Sequence, residues 1–443
     1  MTGSPGLRSE SPAGSTSWTW ITVSIIVVLV AIFGVRWGSG VLDKGPTWDE
    51  KYILIPIRDL IEKGWSVETA IDFQEAKGPA MIWPYAIWGA AAGDSLNTIR
   101  LLSVFCFILT LVPLLVLAGR CGLPPPTWPL VAVGLILLPF ELVLCELVMG
   151  EPSYVLGVAC LLAAVLWGAG DRDHVAARVA GPVIYGILLV ILLHSRVHVV
   201  PIAGGVCLAM AWRDGHRSWP WWVASIIAGL LRIPLWMRWG GLVSPLYQDM
   251  HGFGLRLESL TYLGATFAIP FAVFLLVWFW RYRFLCWWFL APLGMFIGLL
   301  LGVFASPDLV DPHTWGEVRA DSLFQGPTRS LVMAVAGAES AHWIVITILS
   351  MVGLGGLGAL GAMALEERCD QPTATLARIQ FFTMFCAWGL YMFTQGYVFD
   401  RFLLAWTIAM PVLWVKMLPR WTWGLQMIAM AAILAGSASR WLW

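Results

Sequence analysis

The chain has 443 residues, 59% of them hydrophobic and 12% charged, and its 27 basic and 27 acidic side chains cancel. Soluble domains carry about 25% charged residues, so a mean hydropathy of +0.77 points away from that class and toward a polytopic membrane protein. Zero net charge supplies no long-range field toward nucleic acid, and no nucleic-acid partner is expected.

The eight cysteines show no C-x-x-C spacing and no histidine at ligand distance. Neither a disulfide framework nor a zinc site is expected. Many of the 28 tryptophans sit near the ends of apolar runs, where an amphipathic ring suits the headgroup layer.

Residues 1–17 are rich in Ser, Gly and Pro and read as a short disordered cytoplasmic tail, followed by one integral membrane unit over 18–443. The first apolar run, from about Trp18 to Val35, ends without a small-residue cleavage pattern and reads as an uncleaved span. Apolar runs long enough to cross a bilayer continue at 100–118, 128–146, 152–169, 180–194, 198–212, 219–236, 262–280, 284–304, 341–363, 379–396, 401–418 and 421–438. With 18–37 these predict an all-α polytopic protein of about thirteen transmembrane helices.

The stretch from Pro79 to Gly93 is apolar, but fifteen helical residues reach only about 22 Å, short of the hydrocarbon core. It reads as an interfacial or re-entrant helix within a first outer loop spanning 38–99. With that choice and a cytoplasmic N-terminus, Arg120, residues 213–217, residues 281–283 and the Lys416/Arg420 pair all fall on the cytoplasmic side. Three long loops, about 38–78, 237–261 and 305–340, then face outward.

The first outer loop holds Asp49 and Glu50 about a dozen residues beyond the first span, followed by the partly apolar YILIPIRDLI. Most charges of this loop read as a solvated surface, but that placement holds the acidic pair near the bilayer surface, within reach of a lipid headgroup. The same threading brings Glu146 and Glu151 to the same face. Glu151 lies in a short Gly-Glu-Pro turn in which Pro152 opens the next helix. Glu151 can simply complement that helix's positive end, yet ionisable groups at membrane depth raise a functional expectation.

TWDEKY after the first span, FQEAKGPAMIWPYAIWGAAAGDSLNTIRLLS at 73–103, MGEPS about a hundred residues after the acidic pair, and VFDRFLL at 398–404 occur in an order that resembles the GT-C membrane glycosyltransferases. The protein O-mannosyltransferases and the aminoarabinose transferases that modify lipid A are similar in style. The resemblance covers roughly residues 18–170 and the late element. Gly78-Pro79 stands where relatives often have Pro-Pro, and Phe402 where they often have Tyr.

The resemblance implies an inverting transfer of a hexosyl or pentosyl group from a polyprenyl-phosphate donor to a hydroxyl of a glycan, lipid or protein acceptor. It places the enzyme in the plasma or inner membrane with its active site on the extracytoplasmic side. Such a reaction asks for one carboxylate base and for cations on the leaving phosphate. Asp49 is the leading base, with Glu50 as the alternative, because adjacent residues point in different directions. Glu151 is placed to orient the acceptor or, with Asp49, to hold a divalent Mg or Mn ion.

Lys77 and Arg196 are the leading phosphate partners, with His194, His198 and Arg401 as further candidates. A structural histidine and an ordinary Asp400–Arg401 salt bridge are the plain alternatives. From another class, a transporter or flippase of a lipid-linked or small polar substrate also fits many spans with few intramembrane charges. Its site would lie near the bilayer midplane.

Overall fold

Long apolar runs satisfy their backbone in lipid by forming helices, and a computed structural model of the protein is built that way. It describes residues 13–47, 49–73, 75, 77–138, 141–170, 175–242, 254–282, 286–309, 313–315, 318–320, 324–337, 341–366, 371–393, 398–399, 401 and 403–441. In chain order the helices are α1 (Ala13–Ser39), α2 (Glu50–Lys63), α3 (Val67–Ala70), α4 (Pro79–Ala92), α5 (Leu96–Arg120), α6 (Trp128–Leu137) and α7 (Glu141–Leu144). They continue with α8 (Glu151–Gly170), α9 (Val175–Ser195), α10 (Val200–Asp214), α11 (Trp219–Trp239), α12 (Leu257–Thr266), α13 (Ala268–Val277) and α14 (Leu290–Phe304). The series ends with α15 (Pro327–Ala336), α16 (His342–Leu365), α17 (Gln371–Tyr391), α18 (Leu403–Thr407), α19 (Met410–Met417) and α20 (Arg420–Trp441).

Extended structure among the described residues is confined to two short pairs. β1 (His313–Trp315) runs antiparallel to β2 (Val318–Ala320). β3 (Phe324–Gln325) lies parallel to β4 (Val398–Phe399), which ties the loop after α14 to the segment just before Arg401.

The helical polytopic architecture is the one expected, and each predicted span overlaps a helix among the described residues. The count of thirteen full crossings is not met. Among the described residues, five helical stretches are long and apolar enough to cross: Ser17–Gly38, Leu96–Arg120, Glu151–Gly170, Val197–Trp239 and His342–Leu365. A sixth arises if Leu257–Thr266 and Ala268–Arg281, bent by 64°, count together. Val197–Trp239 is itself a hairpin, since Cys207 Sγ of α10 lies 3.2 Å from Ser225 Oγ of α11.

Other apolar helices are cut short for local reasons. At the end of α6, Leu138 turns to ψ 131 immediately before Pro139, because a proline pushes its predecessor out of the helical region. The expected tail lies outside the described residues over 1–12, and residues 13–17 already belong to α1.

Close helix contact is secured by small residues. A Cβ on Gly353 of α16 would lie 2.0 Å from the Gly264 carbonyl of α12, and one on Gly358 would lie 2.2 Å from the Leu290 carbonyl of α14. Only hydrogen fits there, which lets the backbones pack directly.

The first outer loop contains the short helices expected of it. With 14 residues, α4 is about 21 Å long, too short to span. The amphipathic α2 buries Ile53, Leu54, Ile57 and Leu60 in one cluster with Ile82, Tyr85 and Ala86 of α4 and Ile99 of α5.

That loop is anchored by a buried ion pair. Arg100, in the first turns of α5, donates from Nε to Glu50 Oε1 at 3.0 Å and from Nη2 to Oε2 at 2.7 Å. It also donates to the carbonyls of Val41, Lys44 and Gly45. Glu50 in turn accepts from the backbone N–H groups of Thr47 and Val148 at 2.9 and 2.7 Å, and from the Thr47 hydroxyl. Both side chains are fully buried. Glu50 acts here as a structural pin, which argues against the role of alternative base expected of it: both of its carboxylate oxygens accept from protein donors.

The end of the loop is positioned by backbone contact. Gly78 N–H donates to the Ser195 carbonyl at the end of α9 at 2.7 Å. A Cβ at Gly78 would lie 2.0 Å from the His194 oxygen.

The basic clusters gather at the far end of the bundle. Arg120 lies against Gly170, Lys416 lies against Gly122, and Arg213 donates to the Ala169 carbonyl. Glu151 opens α8 and Gly170 closes it, so the 20 residues of this helix separate the two ends by about 30 Å.

Two outcomes follow from this packing. Glu50→Ala leaves the Arg100 guanidinium buried and unpaired and is expected to cost about 3–5 kcal/mol, measured by thermal unfolding in detergent micelles. A loss below about 1 kcal/mol would show that the pair does not hold the loop. Gly78→Ala is expected to destabilise by about 1–3 kcal/mol through overpacking, whereas Gly45→Ala, with open space around it, stays near zero.

Candidate functional site

Asp49 stands at the N-terminus of α2 with its side chain making no capping bond. Glu50 points inward to Arg100, and Asp49 points the other way, to two cations. Lys77 Nζ lies 3.3 Å and Arg401 Nη2 lies 2.9 Å from Asp49 Oδ2. Asp49 remains one third exposed while both cations are mostly buried.

Burial raises the Asp49 pKa, but the adjacent Lys77 and Arg401 charges outweigh it and hold the carboxyl well below the usual carboxylate range. Burial also works against the charge on Arg401, and the Asp49 and Glu151 carboxylates more than offset it.

Glu151, first residue of α8, approaches the same guanidinium, with its Oε1 3.9 Å from Arg401 Nε. Its tighter partner is Arg196, whose Nη2 lies 2.5 Å from the same oxygen. Glu75 closes the cluster with its Oε1 3.3 Å from Lys77 Nζ. Three carboxylates and three cations thus alternate in one chain of contacts, drawn from the first loop, the start of α8, the α9–α10 link and the segment after β4. Their charges sum to zero.

A small pocket opens beside this chain. It is lined by Glu151, Tyr154, Val155, Arg196, His198, Arg401 and Ala405. Glu151 Oε2 and the Tyr154 hydroxyl there have no hydrogen-bond partner among the described residues. One is an acceptor, and the other can donate. Buried polar atoms are normally paired, so this donor and acceptor offer themselves to a group that both gives and takes a hydrogen bond, as a sugar hydroxyl does.

Of the expected phosphate partners, Lys77, Arg196 and Arg401 belong to the cluster and His198 to the pocket wall. The His198 ring lies 6.4 Å from that of Trp406, whose Nε1 donates to the His198 carbonyl at 2.7 Å. His194 does not join them. Its Nδ1 is 2.9 Å from the Val190 carbonyl on its own helix, and its ring is not part of the pocket. Glu146 is also elsewhere, in a 2.7 Å contact with Arg36 at the end of α1. Asp400 lies outside the described residues.

Sequence reading passed over Glu75 and Tyr154. Tyr154 carried a usable signal, since it lies three residues after Glu151 and therefore on the same helical face. Glu75 carried none, because its approach to Lys77 depends on the irregular path of residues 71–78.

The donor set does not fit a divalent cation held by Asp49 and Glu151. The Arg401 guanidinium already contacts both carboxylates and supplies the positive charge that a bound ion would bring. No group of three or more His, Cys, Asp and Glu side chains converges among the described residues, whereas hard cations take about six oxygen ligands.

No family model matches the chain, and no curated protein matches it. Among solved structures it is similar to ArnT from Cupriavidus metallidurans in the apo state, with 13% identity, 95% of this chain and 78% of that chain covered, and a TM-score of 0.43. The same enzyme bound to undecaprenyl phosphate is similar at 13% identity, 96% and 79% coverage, and a TM-score of 0.41.

Proposed function

We propose that the chain is an inverting glycosyltransferase of the GT-C type that moves a sugar from a polyprenyl-phosphate donor to an acceptor hydroxyl. The observation that carries this reading is the neutral cluster of Asp49, Glu75, Glu151, Lys77, Arg196 and Arg401 at one end of the membrane helices, beside a pocket with an unmatched donor and acceptor. The basic residues Arg120, Arg213 and Lys416 at the opposite end favour, by the positive-inside bias, an extracytoplasmic site in a multi-pass plasma or inner membrane protein.

The charge balance suggests how the reaction is gated. With Lys77 and Arg401 both bound to it, Asp49 is a weak base. An incoming donor phosphate competes for the same cations, and each contact it takes removes a charge that holds the Asp49 pKa down. The carboxylate then becomes a better proton acceptor when the leaving group is in place.

In the transfer, the acceptor oxygen attacks the anomeric carbon from the face opposite the phosphate. The new C–O bond forms as the bond to the phosphate oxygen breaks, the hydroxyl proton passes to Asp49, and the departing phosphate carries the electron pair. Lys77 and Arg401 stabilise the charge that grows on it. Arg196 holds Glu151 in place, and Glu151 with Tyr154 orients the sugar. A transporter would need its polar groups near the midplane, and this cluster lies at the helix ends.

Asp49→Asn is expected to lower the release of polyprenyl phosphate from a polyprenyl-phosphate hexose by about 10²–10⁴-fold, in a protein that still folds but with an unfolding midpoint at neutral pH lowered by the lost ion pairs. A wild-type rate in this variant would remove Asp49 as the base. In the free protein the depressed Asp49 pKa means that its ion pairs contribute stability above the ordinary carboxylate pKa and lose it as pH falls toward the depressed value. An acid-unfolding titration is therefore expected to show the Asp49→Asn variant losing less stability than wild type between about pH 5 and pH 2.

A further inference from the structure

Arg232 is the anomaly of the helix bundle. It lies in α11 seven residues before the helix end at Trp239, or about 10 Å of helix inward from it. Its side chain is 2% exposed, and its Nε and Nη1 have no hydrogen-bond partner among the described residues. Among the described residues, the contact that favours its charge is the face of Trp239, 5.1 Å from the guanidinium carbon. The nearby His194 adds no negative charge, being either neutral or cationic. Arg238, at the helix end, finds the Asp72 carboxylate in two 2.5 Å bonds, so a counter-ion is supplied one and a half turns away and not here.

A second unmatched donor lies beside it. Trp236, four residues on and therefore on the same face of α11, has a buried Nε1 with no partner among the described residues. Arginine and tryptophan offer donors only. Such a pair calls for a group that only accepts and carries negative charge, and a cation–π contact alone does not repay the burial of a guanidinium.

The surroundings say where the anion comes from. Leu230, Leu231, Ile233 and Met237 of the same helix are exposed apolar side chains, so this part of α11 faces lipid. Trp236 itself is only half-buried, so its side of the helix is where the lipid lies nearest to the two donors. The Trp239 Nε1 donates to the Ile71 carbonyl at 3.2 Å, which puts this end of α11 on the same membrane face as Asp49 and Lys77. No residue of α11 lines the pocket beside Glu151.

We propose that Arg232 and Trp236 form a second anion site, which holds the phosphate headgroup of a membrane lipid from the leaflet on the side of the Asp49 cluster. Lipid phosphate presents acceptor oxygens and charge to the guanidinium, whose long side chain can reach toward the headgroup layer, while the lipid's acyl chains cover the apolar side chains around it. Charge-assisted bonds of this kind are the strong ones.

The test uses the full chain in maltoside micelles, which hold no phosphate, with phosphatidylglycerol added in increasing amount and binding followed by native mass spectrometry. Wild type is expected to bind it about tenfold or more tightly than Arg232→Met, the loss of one charged hydrogen bond or more. Arg232→Met replaces an unpaired buried charge with an apolar chain and is expected to remain folded without lipid. Trp236→Phe removes a single N–H and is expected to weaken binding by about two- to tenfold, which keeps the test open if the first variant fails to fold. Equal binding by wild type and the folded variants overturns the site. If millimolar inorganic phosphate raises the wild-type unfolding midpoint as much as the lipid does, the anion is a soluble one and the lipid assignment falls.

Discussion

The site depends on Arg100 and Glu50. An arginine buried at the start of a membrane helix is costly unless its donors are filled, and Arg100 fills its own with Glu50 and three carbonyls of the chain leaving α1. Glu50 then reaches Val148 in the segment before α8. One ion pair thereby holds together the end of the first span, the start of α2, the start of α5 and the turn ahead of Glu151. Asp49 precedes Glu50 by one residue, and Glu151 follows Val148 by three. Their positions around Arg401 follow from where that pair is fixed.

The adjacent carboxylates show how burial divides similar residues into different roles. Glu50 is enclosed, saturated by donors and paired with a permanent cation, which makes it part of the scaffold. Asp49 keeps a third of its surface and exchanges contacts with two cations that arrive from distant parts of the chain. An arriving anion can compete for those cations at Asp49, whereas Arg100 has no open side from which to be drawn away.

Much of the frame was legible in the sequence, and its limits have physical causes. Apolar runs locate the helices because the bilayer demands about 20 such residues, and the short length of α4 identified it as a non-crossing helix. The number of full crossings was not legible. Breaks such as the one at Leu138 and the 64° bend between α12 and α13 arise from proline and tertiary packing, while hydropathy registers only composition. Asp49, Lys77, Glu151, Arg196 and Arg401 were all singled out by type and position. Their mutual geometry was not, because Arg401 is 352 residues from Asp49 and no local pattern announces that contact. Glu50 and His194 were placed with them on proximity in sequence alone, yet one turns toward Arg100 and the other bonds its own helix.

Charge balance separates the two regions where polar groups meet the membrane on this side. Around Asp49 the acids and bases cancel, so an anion gains a place there only by displacing a carboxylate, and its binding is linked to the release of that carboxylate. Around Arg232 no described residue cancels the charge, so an anion that arrives displaces no carboxylate and its binding is retained as stability of the folded chain. The first arrangement favours exchange and turnover. The second favours lasting occupancy, which suits a lipid that remains with the protein while substrates come and go.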